Sequence, residues 1–192
     1  MFFDVLLYTF FIVTFAGCKI FVMNHDLAEE NLGHSIENVL SGDSFPTEIS
    51  PLTKNDLKQI TKKNGWNFNW SIEYGNPSRD VYKLTIIQNP SNTQGLICFS
   101  VEHDHVFMHL LESAPFNVGK NKVYSGVPGN LVAYACKVSF MNELEGYVGF
   151  TSKTHLIAHY EQTLRATHIG GQRMIIFPEN AQFLINKYFK KE

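Results

Sequence analysis

The segment Ser125-Gly126-Val127-Pro128-Gly129-Asn130-Leu131 constrains the fold of this chain more than any other stretch. It joins apolar, strand-like runs to a helical repeat in which Leu131, Ala135 and Val138 share one side, with Tyr134 beside them, up to about Asn142. Where a strand feeds a helix start, unpaired main-chain N–H groups and the positive end of the helix dipole converge, a geometry that suits anions. Two glycines permit close approach of a diphosphate, and Pro128 fits a first helical turn, where its missing N–H costs least. An ordinary connection with a rigid Pro-Gly turn explains the same residues.

The flanking pattern supplies the elements that the turn would join. Val81 to Ile87 is β-branched and apolar and ends in the turn Asn89-Pro90-Ser91-Asn92; Leu96–Glu102 and Val106–Glu112 form a hairpin across His103-Asp104-His105. After the turn, the pattern predicts a strand at Tyr147–Phe150 and a helix from Thr154 to about Leu164. A strand at Met174–Phe177 and a closing helix from Asn180 to Phe189 follow. Upstream, the spacing predicts a helix from Leu57 to about Lys63 stopped by Asn64-Gly65. Trp66-Asn67-Phe68-Asn69-Trp70 alternates as a strand with one buried face. Asn24 to Ser44 is polar and reads as a modest helix or ordered arm.

With 192 residues, 44% hydrophobic and 18% charged, the chain can close one substantial core. A net charge of −2 lacks the electrostatic footprint of a protein that holds nucleic acid by its phosphates, so no nucleic-acid partner is expected. Cys18, Cys98 and Cys136 show no CxxC or metal spacing; Cys98 and Cys136 read as small buried hydrophobes in a reducing compartment. His155 and His159 share a helical face, and His103-Asp104-His105 adds potential ligands. A solvated face and a polar hairpin tip account for both, and no metal is expected. No Ser or Cys sits in a nucleophile-elbow context.

Residues 1–22 form an apolar leader with Asp4 and no Lys or Arg before its core. It reads as a short membrane anchor, as an export signal with a lipoprotein-like box ending at Cys18, or as extra sequence before a start at Met23; the missing basic residues weigh against export. Residues 23–49 then read as a polar arm and 50–192 as the functional domain.

From about Val81 to Phe189 the chain resembles the GNAT superfamily of CoA-dependent N-acyltransferases, as a divergent member. The likeness rests on Tyr124-Ser125-Gly126-Val127 preceded by Glu112-Ser113-Ala114-Pro115-Phe116-Asn117. The helix through Lys137, the strand Tyr147–Phe150 and the pair His159-Tyr160 complete it. Pro128 and Val123 depart from the family's Q/R-x-x-G-x-G/A loop, removing one amide donor and one side chain. The resemblance implies an α/β (α+β) fold with a mixed, mostly antiparallel central sheet flanked by helices. It implies transfer of an acyl group, from acetyl-CoA above all, to a primary amine on a small molecule or peptide, by direct attack in a ternary complex.

On that likeness Gly126, Val127, Gly129, Asn130 and Leu131 bind the CoA pyrophosphate, with Lys120, Lys122 and Lys137 nearby, and Tyr160 protonates the departing thiolate. Glu112 steers or deprotonates the amine, Asn117 holds a loop or touches the acceptor, and Trp66 and Trp70 wall its pocket. Each has a plainer role: Tyr160, Trp66 and Trp70 as core aromatics, Glu112 as a solvated or ion-paired acid, Asn117 in an Asx-turn. The alternatives to an enzyme are a GNAT-like module that binds CoA or a protein without turnover, and an exported lipoprotein. The enzyme reading implies a cytoplasmic protein, with membrane association possible through residues 1–22.

Overall fold

The computed structural model describes residues 30–189; the apolar leader and Cys18 lie outside them. Among the described residues nine strands form one sheet: β1 (Glu30–Asn38), β2 (Ser44–Pro51), β3 (Asp80–Ile86), β4 (Asn89–Val101), β5 (Val106–Ser113), β6 (Tyr124–Ser125), β7 (Val148–Thr151), β8 (Thr167–His168) and β9 (Arg173–Ile176). Their order across the sheet is β6-β1-β2-β3-β4-β5-β7-β9-β8. The described α-helices are α1 (Trp70–Tyr74), α2 (Val127–Met141), α3 (Ile157–Leu164) and α4 (Pro178–Tyr188). Every neighbouring pair is antiparallel except β5 with β7, which is parallel. A parallel pair needs a crossover, and α2 supplies it.

The two faces of the sheet carry separate cores. On one, α2 is so apolar that eleven of its residues are buried, including Leu131, Val132, Tyr134, Cys136 and Val138. Tyr82 stacks on Phe99 at 5.5 Å there, and Tyr134 leans on Tyr82 at 4.9 Å. Helix α4 adds Ala181 and Leu184 to this core. On the other face, Leu52, Ile60, Trp66, Trp70, Val81, Leu96, Cys98 and Ala114 make a smaller core. Trp70 is wholly buried, a site where truncation to alanine costs about 3–5 kcal/mol.

Three expectations change upstream of β3. Residues 30–38 form a strand paired to β2 and β6, with two register irregularities, not a helix; Gly33 lies within it, and glycine costs a helix about 1 kcal/mol. The segment after Pro51 forms two 3₁₀ turns, Asp56–Lys58 and Lys62–Asn64, in place of one α-helix, although Gly65 ends the second at φ 90° as expected. Trp66–Trp70 is not a strand, because the amide groups of Asn67 are satisfied by one carboxylate, Glu112, and Trp70 opens α1.

The expected membrane-associated localisation is corrected as well. Among the described residues no helix is long and apolar enough to cross a membrane, so that placement has no structural support.

Candidate active site

Strands β5 and β7 part like the arms of a fork. They pair only at Val106↔Val148, Phe107↔Gly149 and Met108↔Phe150. Just beyond, the register with β4 slips: Cys98 faces Leu110 while Phe99 faces Met108, leaving His109 as the extra residue of a bulge. A bulge bends its strand and increases local twist, which carries β5 away from β7. Val106, Met108 and Leu111 then serve the α2-side core, and Leu110 and Glu112 the other face. From His109 to Ser113, β5 has β4 on one flank and, among the described residues, no strand on the other, an open edge of about 17 Å. Such an edge offers main-chain N–H and C=O groups to an extended ligand.

Phe150, at the last paired position, marks the crotch of the fork. Tyr160 of α3 sets its ring edge-on to Phe150 at 5.3 Å, from the α2 side. The phenol is half-buried, and burial raises its pKa above the ordinary tyrosine value. It therefore keeps its proton at neutral pH and acts only as a donor in proton transfer.

On the opposite face, His109 presents a second titratable group beside the fork. Its Nε2 lies 2.8 Å from Ser100 Oγ, which lies 2.5 Å from Glu102 Oε1. An ionised carboxylate only accepts, so the Ser100 hydroxyl donates to Glu102 and Nε2–H of His109 donates to Ser100. That order fixes the tautomer and leaves Nδ1 with its lone pair. Desolvation first, and the Arg79 charge second, lower the His109 pKa, against the opposing pull of Glu73 and Glu102. A neutral, half-buried imidazole with one basic nitrogen results. The strand pattern alone did not single out these three residues; a histidine among the apolar positions of Val106–Glu112, with a serine across the hairpin, is the signal available.

Glu112 is placed differently. Its Oε1 accepts from Asn67 N at 2.7 Å and Asn67 Nδ2 at 3.0 Å, and its Oε2 from Trp70 Nε1 at 2.7 Å. The carboxylate is 6% exposed and ties the end of β5 to the Asn67–Trp70 segment. It lies in a different cluster from Tyr160. Trp70 is enclosed in the smaller core, and Trp66, 6% exposed, borders a cavity of about 270 Å³ with Asn92 and Phe116. Asn117 is buried, donating from Nδ2 to Gln94 O and Oε1 and accepting from Tyr124 N at 3.1 Å, and so holds the loop that follows β5.

At the start of α2, Gly126 takes φ 89° and no side chain caps the helix. A Cβ there would meet Ser35 O at 2.9 Å, so the turn needs glycine. Gly126 and Ser125 line a cleft of about 330 Å³ between β1 and α4, with Lys187 and Tyr188 on its far wall. Val127 and Leu131 are buried in the core. Gly129 lies under the Tyr188 ring, whose hydroxyl would stand 2.1 Å from an added Cβ, so this glycine serves helix packing. Asn130 is buried; its Nδ2 donates to Ser35 O at 2.8 Å and Gly126 O at 2.9 Å, and its Oδ1 has no hydrogen-bond partner among the described residues. That orphan is an acceptor and adds nothing to anion binding. Among the described residues no group of three or more His, Cys, Asp or Glu could hold a metal ion.

No protein-family model matches the sequence, and no curated protein matches it. Solved structures do match in shape. The spermidine/spermine N-acetyltransferase SpeG from Vibrio cholerae aligns over 71% of this chain and 96% of its own, at 14% identity and TM-score 0.53. AtaTR bound with acetyl-CoA aligns over 72% and 98%, at 14% identity and TM-score 0.53. The AtaT–AtaR complex bound to DNA aligns over 71% and 98%, at 16% identity and TM-score 0.54. At such identities the likeness is one of architecture. The chain has the fold of the GNAT N-acetyltransferases, a mostly antiparallel mixed sheet flanked by helices.

Proposed function

We propose that the chain is an N-acyltransferase that moves an acetyl group from acetyl-CoA to a primary amine. The fork between β5 and β7 carries the reading. Its open edge suits an extended arm bearing amides, as pantetheine does, and proton-handling groups stand on either face of it. The start of α2 suits a diphosphate in part: Gly126 and Val127 open the helix uncapped and Lys187 faces the same cleft, whereas Pro128 has no N–H and Tyr188 covers Gly129. Bound there, acetyl-CoA would supply the activated thioester.

In this reaction the acceptor ammonium passes a proton to Nδ1 of His109. The freed amine forms the new N–C bond at the thioester carbonyl, the C–S bond breaks, and the thiolate takes the phenolic proton of Tyr160; the second proton, lost from the nitrogen as it becomes an amide, passes through solvent and restores the phenol. Glu112, with all three of its donors in place, holds the end of β5, and Asn117 holds the loop beyond it. Trp66 and Trp70 anchor the segment to which Glu112 is tied.

A CoA- or protein-binding module without turnover is the second reading, favoured by Pro128 and by the Tyr188 ring over Gly129. The AtaT–AtaR complex with DNA also keeps a nucleic-acid partner open for this fold, despite the net charge of −2. Calorimetry with acetyl-CoA, followed by CoA thiol release across an amine panel, separates these. Binding with amine-dependent release, cut about tenfold or more by Tyr160→Phe, supports the enzyme. Binding without release supports the module, and no binding at millimolar acetyl-CoA removes both.

A further inference from the structure

Phe107, Gly149, Ile175 and Thr167 stand in register across β5, β7, β9 and β8, and residues in register share one face of a sheet. A groove of about 490 Å³ runs along this face, with Phe107, Tyr147, Ile169 and Ile175 as its walls and Gly149 in its floor. Among the described residues no helix lines it. Ile169 is 46% exposed, and Phe107, Tyr147 and Ile175 are half-buried. Apolar side chains gathered on an uncovered sheet face mark a surface that something else covers.

The two ends of the groove carry opposite charge. Asp104, 79% exposed, lies at the β4–β5 hairpin end, where exposed Glu145 precedes β7. Arg173 pairs with Thr151, one residue past Phe150, and so lies at the fork end, where exposed Lys153 follows. Among the described residues Arg173 has no ion-pair partner. The rise per strand residue sets the two ends about 17 Å apart along the strands, with the row of Phe107, Gly149 and Ile175 midway.

A surface that is acidic at one end, basic at the other and apolar between them is complementary to itself. A two-fold axis lying between two such faces, and crossing the strands at the middle row, exchanges their ends: each Asp104 meets an Arg173 while the apolar rows face each other. An axis along the strands would set like charges together instead, which disfavours that arrangement. We infer that this face of β5, β7 and β9 is the interface for a second copy of the chain, packed sheet to sheet about the crossing axis. Sheets stacked in this way stand about 10 Å apart, so side chains of the two middle rows interdigitate. The contact does not depend on acyl transfer.

Analytical ultracentrifugation of the full chain across the micromolar range tests this, with a monomer–dimer equilibrium as the expected result. Arg173→Glu and Asp104→Arg should each weaken the dimer about tenfold or more, since each sets two like-charged pairs across the axis. An equimolar mixture of these two variants should dimerise again, because in the mixed pair every carboxylate meets a guanidinium. A folding defect in either variant has no such rescue. Ile169→Glu, at a position already exposed, should weaken the dimer comparably by placing a charge among apolar walls. A dimer that none of these substitutions weakens, or a mixture that stays monomeric, overturns the assignment. So does an unaltered chain that stays monomeric throughout, an outcome that gives the face to residues 1–29 or to a different protein.

Discussion

Two polar clusters lie on one face of β5, three residues apart, and they are built for opposite ends. Glu112 is 6% exposed and its oxygens take three hydrogen bonds from a single neighbouring segment. His109 is half-buried, held through one nitrogen to Ser100 and Glu102, with the other nitrogen left basic. A buried carboxylate with all its donors in place is fixed, and taking it away strands those donors. An imidazole tethered on one side and half-exposed can exchange a proton while its tether stays in place. What separates the two is not residue type, since an acid on a strand end is the more familiar candidate for a base, but how much of its hydrogen-bonding capacity has been consumed.

Substitutions can break this comparison. The largest effect belongs to His109→Gln, which keeps a bond to Ser100 but cannot take a proton: amine-dependent turnover should fall about 10²- to 10³-fold, with the thermal midpoint nearly unchanged. Equal losses of stability and rate would assign His109 to the same class as Glu112. Next comes Glu112→Ala, expected to destabilise by about 3 kcal/mol in urea unfolding, because Asn67 and Trp70 lose their buried acceptor. A stable variant with lost turnover would reverse the roles.

Ser100→Ala should be milder, about tenfold in kcat, since it frees the imidazole to turn without removing it. The smallest effect is in the pH profile. Burial and Arg79 lower the His109 pKa, so its basic form persists to lower pH than for an ordinary histidine. Turnover should therefore be flat through neutrality and fall only on the acid side, below the usual histidine value. In Ser100→Ala that acid limb should move, whereas in Glu112→Gln it should stay.

Much of the frame could be read before the structure. The β3–β5 meander, α2 after its Gly-Val-Pro-Gly turn, β7, α3, β9 and α4 each lie within a few residues of their expected places, because period-2 and period-3.6 patterns survive in strands and helices packed against one core. What escaped depended on partners far away in sequence. Trp66–Trp70 alternates like a strand, but its fate is decided by Glu112, more than 40 residues on. The bulge at His109 leaves no mark in an alternation rule, yet it decides which face His109 and Leu110 share. Gly129 and Tyr188 stand 59 positions apart, and no local pattern links a turn-forming glycine to the last helix.

That contact couples two distant parts of the chain. With the Tyr188 ring lying on Gly129, the closing helix acts as a latch on the turn from which α2 springs. Whatever grips that turn must either tolerate the latch or lift it. Occupancy at one end of α2 would then register as altered hydrogen exchange in α4, so the terminal helix becomes a built-in reporter of what the turn holds.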